Sequence, residues 1–146
     1  MEVPVHPPEW TNAKKLIMSG RSLSDIIEAM SLLTKEQCET MCVKKNFEHF
    51  EYCSFDLLHY AIYRNRRDVV DHIFTEGLFS SSFTTNPNNS LPYLHMACIL
   101  GYMDIFDLII RQRPHEKNLL IKKTALYWWG VKLTMRMGKY NKCIML

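Results

Sequence analysis

Apolar residues recur three and four positions apart in the first third of the chain, and this spacing predicts short helices. The first helix is expected over Thr11–Met18, with Gly20 as the left-handed residue that ends it. Residues 1–10 contain three prolines and are expected to form an extended lead-in. We expect residues 11–50 as a whole to form a helical N-terminal cap region.

A second and a third helix are predicted from capping signals. Either Ser22 or Ser24 can cap the second helix. Thr34 followed by Gln37 has the form of a capping box and predicts a third helix that runs to about Lys45. The apolar face of the second helix consists of Leu23, Ile26, Ile27, Met30 and Leu33.

Two stretches in the middle of the chain repeat one another. Residues 57–74 align without gaps on residues 93–110, and every matched pair is 36 residues apart. The apolar positions are in phase as well, which indicates an internal structural repeat. The identical pairs are Leu58/Leu94, His59/His95, Ala61/Ala97, Asp68/Asp104 and Asp71/Asp107.

The shared Leu-His-x-Ala core of these stretches resembles the ankyrin repeat, a turn followed by two antiparallel helices. Asp56-Leu57 and Pro92-Tyr93 stand where that family usually has threonine and proline. Gly101 matches the family's glycine between the two helices, and Asn65 replaces it in the earlier unit. Since Asn tolerates the left-handed conformation better than most residues, we expect the same turn in both units.

The resemblance implies an all-α, ankyrin-like helical repeat solenoid with an irregular helical N-terminal cap. Its repeats would span residues 51–86 and 87–117, with the surplus of the period in the polar loop at residues 80–89. Residues 118–146 would be a degenerate, truncated third repeat, identified by Thr124-Ala125-Leu126-Tyr127. We therefore expect a truncated or alternatively spliced form of a longer adaptor.

The resemblance also implies a function, which is non-catalytic protein–protein interaction as a scaffold or adaptor. Ankyrin-type arrays bind partners with their turn tips and the exposed side of each first helix. An alternative for Ile99 and Leu100 is that the next repeat or the Tyr127-Trp128-Trp129 segment covers them. Carried over to this sequence, the partner-binding positions are Tyr52, Tyr63, Arg64, Arg66, Asn88, Asn89, Ile99, Leu100 and Tyr102.

Composition narrows the classes of partner. The 146 residues carry a net charge of only +3, and the basic residues come as scattered pairs, which does not favour a nucleic acid or a membrane as partner. The sequence shows no apolar stretch of membrane-spanning length and no secretory signal. We expect a cytoplasmic protein, with the nucleus as the other compartment, and we expect its five cysteines to be reduced.

No pattern in the sequence favours an enzyme. Nucleophile-elbow and phosphate-loop motifs are missing, and we expect no cofactor. His59 and His95 occupy equivalent repeat positions, which favours a structural role in which each imidazole bonds backbone groups of its own and the next turn. Another protein is therefore the expected partner.

The alternative from a different class is a small zinc-stabilised helical domain. Cys38, Cys42, His49 and Cys53 supply four ligands of the types that tetrahedral zinc prefers. Structural zinc sites usually have two residues between paired cysteines at a turn, whereas three residues separate Cys38 from Cys42. That gap places both on one face of the predicted third helix, so buried reduced thiols are the favoured interpretation.

Overall fold

The computed structural model describes residues 6–47, 50–79 and 92–117, and for residues 44–47 and 50–53 it describes the backbone alone. Helix predominates in this part of the chain, which confirms the mostly helical class predicted from the sequence. The elements in chain order are α1 (Pro8–Met18), α2 (Leu23–Met30), α3 (Lys35–Thr40), β1 (Val43–Phe47), β2 (Phe50–Phe55), α4 (Leu57–Tyr63), α5 (Arg67–Thr75), α6 (Tyr93–Leu100) and α7 (Met103–Gln112).

Helix α1 begins earlier than predicted. Pro8 occupies its first position, where the missing N–H costs nothing and the fixed φ already suits a helix. The predicted extended lead-in is therefore wrong from residue 8 onward, and residues 1–5 lie outside the described residues. The early start places Trp10 in the core at 1% exposure, with the ring of His6 stacked on it at 4.4 Å.

Both predicted caps of the next two helices are present. Ser22 caps α2, and its Oγ accepts a hydrogen bond from the backbone N–H of Asp25 at 3.2 Å. Thr34 and Gln37 form the predicted capping box of α3, with bonds of 3.0 and 2.9 Å. Helix α3 ends at Thr40, five residues before the predicted end, because the chain turns there into a strand.

A two-stranded antiparallel hairpin is the departure from helix that the sequence analysis did not predict. Strand β1 pairs with β2, and Val43 lies opposite Phe55. Strand β2 leads through Asp56 directly into α4. The predicted N-terminal cap region is therefore part helix and part β-hairpin.

The four following helices form two hairpins, α4–α5 and α6–α7, whose members are buried to different extents. Every residue of α4 from Leu57 to Ile62 and of α6 from Tyr93 to Ile99 is buried. Helices α5 and α7 instead bury one apolar face each and expose the other. Helices α4 and α6 are therefore the central helices of the core.

Three helical hairpins lie side by side in two layers. Helix α4 packs between α1 and α6 in one layer, and α5 packs between α2 and α7 in the other. The rings of Trp10 and Tyr60 meet edge to face at 6.5 Å where α1 contacts α4. The α1–α2 pair is thus a third hairpin of the stack, which the sequence analysis treated as an irregular cap.

Candidate interaction surface

The turns that join the two helices of each hairpin share one hydrogen-bond pattern. In each, a backbone N–H donates to the carbonyl five residues earlier: Arg21 to Leu16 at 3.1 Å, Arg66 to Ala61 at 2.9 Å and Tyr102 to Ala97 at 3.0 Å. This is the bond of the Schellman motif, which requires a left-handed residue one position before the donor. Gly20, Asn65 and Gly101 fill that position with φ of 74°, 55° and 78°.

These shared turns form one edge of the molecule, which we call the loop edge and define as residues 19–22, 64–66 and 101–102. The predicted left-handed conformations of Asn65 and Gly101 are confirmed. Arg66 bonds the carbonyl of Arg21 at 2.7 Å, and Arg67 approaches Asp104 to 3.9 Å, so neighbouring turns lie next to one another at this edge. The loop edge is therefore a continuous surface built from all three hairpins.

Several of the predicted partner-binding residues lie at the loop edge or beside it. Arg64 is exposed, and Tyr63, Leu100 and Tyr102 are half-buried. Arg64 and Leu100 occupy equivalent positions, one residue before Asn65 and Gly101 respectively. The fold thus brings a cationic, an aliphatic and two aromatic side chains to one edge, a mixture of residue types enriched at protein interfaces.

Arg66 has an internal role that the sequence analysis missed. Its guanidinium holds both carboxylate oxygens of Asp68 at 3.0 Å, and its Nη1 donates to the carbonyl of Arg21 at 2.7 Å. The bond from Arg66 lowers the pKa of Asp68 below its usual value. Arg66 therefore ties the first turn of the loop edge to the second.

Other predicted binding positions lie elsewhere. Ile99 is only 5% exposed and belongs to the core, as the alternative interpretation expected, so it is removed from the candidate surface. The side chain of Tyr52 and all of Asn88 and Asn89 lie outside the described residues. Four residues of the original set, Tyr63, Arg64, Leu100 and Tyr102, therefore remain as candidate contacts in the described part of the chain.

A cleft of about 590 Å³ opens between α5 and α7 on the second layer. Arg67 lies beside it and approaches Asp104 of α7 to 3.9 Å. Side chains of both charges line the cleft, which favours binding of a polar peptide segment over an apolar one. The lining residues are Arg67, Asp68, Asp71, Leu108, Arg111 and Gln112.

The opposite edge of the molecule holds a buried polar network. Asp56 caps α4 in a capping box with His59, whose Nδ1 lies 3.1 Å from the backbone nitrogen of Asp56. The hydroxyl of Tyr93, the first residue of α6, donates to Asp56 at 2.5 Å. His59 thus bonds the backbone of its own turn, which is one part of its predicted role, and Asp56 joins the starts of α4 and α6.

A buried ion pair that was not predicted from the sequence extends this network. Arg113 donates to Glu116 at 2.6 Å, and the two side chains are 1% and 0% exposed. Glu116 also accepts the backbone N–H of Leu94 at 2.9 Å, and Arg113 donates to the carbonyl of Phe79. The pair therefore joins three separate segments of the chain.

Replacing either of two buried tyrosines with phenylalanine is expected to change the free energy of unfolding, but in opposite directions. Tyr93→Phe removes a bond to a carboxylate and is expected to lower the free energy of unfolding by about 1.5–3 kcal/mol. The hydroxyl of Tyr60 is buried without a hydrogen-bond partner in the described part of the chain. Tyr60→Phe is therefore expected to raise the free energy of unfolding by about 1 kcal/mol. Urea unfolding of both variants, followed by circular dichroism, checks this, and losses of equal size would contradict it.

The thiols do not form a metal cluster within the described residues, where no group of three potential ligands lies together. Burial raises the pKa of Cys38 to about 11, and Cys42 lies beyond the end of α3 rather than on its face. His49 and the side chain of Cys53 lie outside the described residues. Cys98 is disulfide-bonded, so the expectation of reduced thiols is wrong at this position.

Comparison with known proteins adds no relative. Neither a family model, nor a curated protein, nor a solved structure matches the chain. In the described residues, no helix has both the length and the apolar character that crossing a membrane requires. The function must therefore be argued from the residues and the geometry.

Proposed function

We propose that this chain is a non-catalytic protein-binding module of ankyrin-repeat type, with the loop edge as part of its binding surface. The observation that carries the proposal is the identity of the three turns, in which the same Schellman bond and the same left-handed position recur in successive hairpins. Repetition of a turn with variable exposed side chains is typical of repeat proteins that bind other proteins.

The positions of the shared motif residues support the repeat interpretation. Leu58, His59 and Ala61 are buried in α4, and Leu94, His95 and Ala97 are buried in α6, the helix that packs on α4. The recurring leucine, histidine and alanine therefore belong to the core, whereas the recurring aspartates are exposed. Arg64 and Tyr102, which differ from their counterparts in the other unit, are free to determine which partner binds.

The connection between Asp56 and Tyr93 supports it further. Each stands at the start of its first helix, and the 2.5 Å bond joins one unit to the next. In this chain an Asp–Tyr pair links the two motif starts. We infer that this network replaces the threonine-based bonds of the ankyrin family and keeps successive units in register.

The test is a binding measurement with matched surface variants. A partner is first selected from a display library on the purified chain, and its affinity is then measured by calorimetry. Combined Arg64→Ala and Tyr102→Ala is expected to weaken binding by at least about tenfold, since aromatic and Arg anchors dominate interfaces.

The matched control is combined Glu9→Ala and Glu36→Ala, two exposed changes away from the loop edge. It is expected to leave the affinity unchanged. Circular dichroism shows whether all variants keep the fold. Binding that survives the loop-edge substitutions, or that weakens equally in the control, would reject the loop edge as the binding surface.

A further inference from the structure

One large apolar side chain stands out on the described surface. Leu32, in the turn between α2 and α3, is 66% exposed, whereas the other large apolar side chains of the described residues are buried or half-buried. A single exposed leucine is ordinary on a protein surface. The residues around Leu32 indicate that this side chain has a binding role.

The turn that carries Leu32 is held by hydrogen bonds on both sides. The backbone N–H of Leu33 donates to Met30 at 3.0 Å, and Ser31 Oγ donates to the carbonyl of Glu28 at 2.6 Å. The capping box of Thr34 follows directly. Leu32 is therefore presented by an ordered segment, so that fixing its backbone on binding costs little entropy.

A cleft lined by apolar and polar side chains lies immediately beside this turn, where α2 and α3 face the end of α5. It measures about 200 Å³, and an apolar cavity of about 150 Å³ is enough to hold benzene. Burial keeps the thiol of Cys38 protonated, with a pKa of about 11, so its contribution to the floor is uncharged. The floor consists of Ile27, Met30, Leu33, Cys38 and Leu78.

The rim of the cleft carries charges of both signs. Lys35 lines it from the start of α3, and Glu76 lines it from the end of α5, next to His72. Among the described ion pairs, none joins Lys35 to Glu76. Lys35 and Glu76 come from different elements, so two copies related by a two-fold axis can place each of these charges opposite its counterion.

We propose that a second copy of this chain docks here, so that Leu32 of each protomer enters the cleft of its partner. A projecting leucine and a receiving cleft on one surface satisfy the requirement of a two-fold interface, in which the same patch serves both subunits. Lys35 of each protomer then faces Glu76 of the partner subunit. This self-association involves α2, α3 and α5 and is separate from the binding proposed for the loop edge.

Sedimentation equilibrium of the purified chain tests the proposal. An interface built around one anchor is small, so dimerisation is expected with a Kd on the order of 10–100 µM. Leu32→Asp is expected to raise that Kd by at least about tenfold. The matched control is Asn12→Asp, which adds the same charge at an exposed position on α1 and is expected to leave the Kd unchanged.

A charge exchange identifies the orientation of the two copies. Lys35→Glu alone is expected to weaken the dimer, because it places two acidic residues opposite each other. Adding Glu76→Lys is expected to restore the dimer. If Leu32→Asp impairs folding, as shown by circular dichroism, Leu32→Ala replaces it.

Three outcomes would overturn the proposal. The first is a wild-type chain that stays monomeric up to about 1 mM, the weakest affinity of interest here. The second is a dimer that Leu32→Asp and Asn12→Asp affect equally. The third is a monomeric chain whose affinity for a different protein depends on Leu32, which would assign the cleft to that other protein.

Discussion

Replacing Arg113 with methionine is expected to lower the free energy of unfolding by about 3–5 kcal/mol, because removing one partner of a buried ion pair leaves an uncompensated charge. The carboxylate of Glu116 would keep the backbone N–H of Leu94 and lose its cation. Arg113 also packs over the ring of Tyr93, with 5.0 Å between the guanidinium carbon and the ring centroid, and this contact is lost as well. Urea unfolding followed by circular dichroism measures the change.

The control for this prediction is Arg21→Met. Arg21 lies 3.3 Å from Asp25, but both side chains are well exposed, so the loss is expected to stay below about 1 kcal/mol. Combining Arg113→Met with Glu116→Gln removes the stranded charge and keeps an acceptor for Leu94, and is expected to recover part of the stability. A loss at Arg113 no larger than that at Arg21 would show that the pair is not buried in solution.

Trp10→Ala is expected to lower the free energy of unfolding by about 3–5 kcal/mol, the usual cost of deleting a large aromatic side chain from a core. Trp10 lies in α1 at 1% exposure and contacts Tyr60 of α4. The size of the loss therefore reports whether the first hairpin belongs to the same packed core as the second. Thermal and urea unfolding followed by circular dichroism both measure it.

Asn12→Ala is the control for Trp10→Ala, because a substitution at an exposed position of the same helix changes the free energy of unfolding by no more than about 0.5 kcal/mol. A single cooperative transition is expected for the wild type and for both variants. A separate, early transition that is lost in Trp10→Ala would contradict the prediction, since it would make the α1–α2 hairpin an independent unit.

Local signals predicted the parts of the fold that local chemistry controls. The cap of α2, the capping box of α3 and the left-handed turn at Gly101 depend on residues within a few positions of one another, and all three were predicted. The predicted end of α3 was wrong, because the observed end depends on the pairing of β1 with a strand several residues later. Propensity within a short window carries no information about that pairing.

The third hairpin was missed for a related reason. The turn equivalence places Lys14 of α1 where α4 has His59, so the Leu-His-x-Ala signature is missing from the first hairpin. Lys14 instead lies over the ring of Tyr60, 5.6 Å from its centroid. One available signal would have indicated the third hairpin. Gly20, Asn65 and Gly101 are all helix-ending residues, and each precedes a capped or charged helix start.

Some residues of the candidate site could likewise be predicted from the sequence, and others could not. Arg64 was assigned to the surface by the ankyrin resemblance, and the structure places it exposed at the end of α4. Burial of Arg113 and Glu116 could not be found, because charged residues are normally assigned to the surface. Their ion pair with each other, together with the Phe79 carbonyl and the Leu94 N–H, makes their burial tolerable.

The shared turns of the loop edge also say where this architecture accepts change. The turns keep one hydrogen-bond pattern, whereas the chain between the first and second hairpins, residues 31–56, accommodates a whole extra helix and a strand pair. The turn length is thus the same in all three hairpins at the loop edge, whereas this connection at the other edge is longer. That connection also supplies Cys38 and Phe55 to the core, so a segment added at the second edge is accommodated when it packs on the two helical layers.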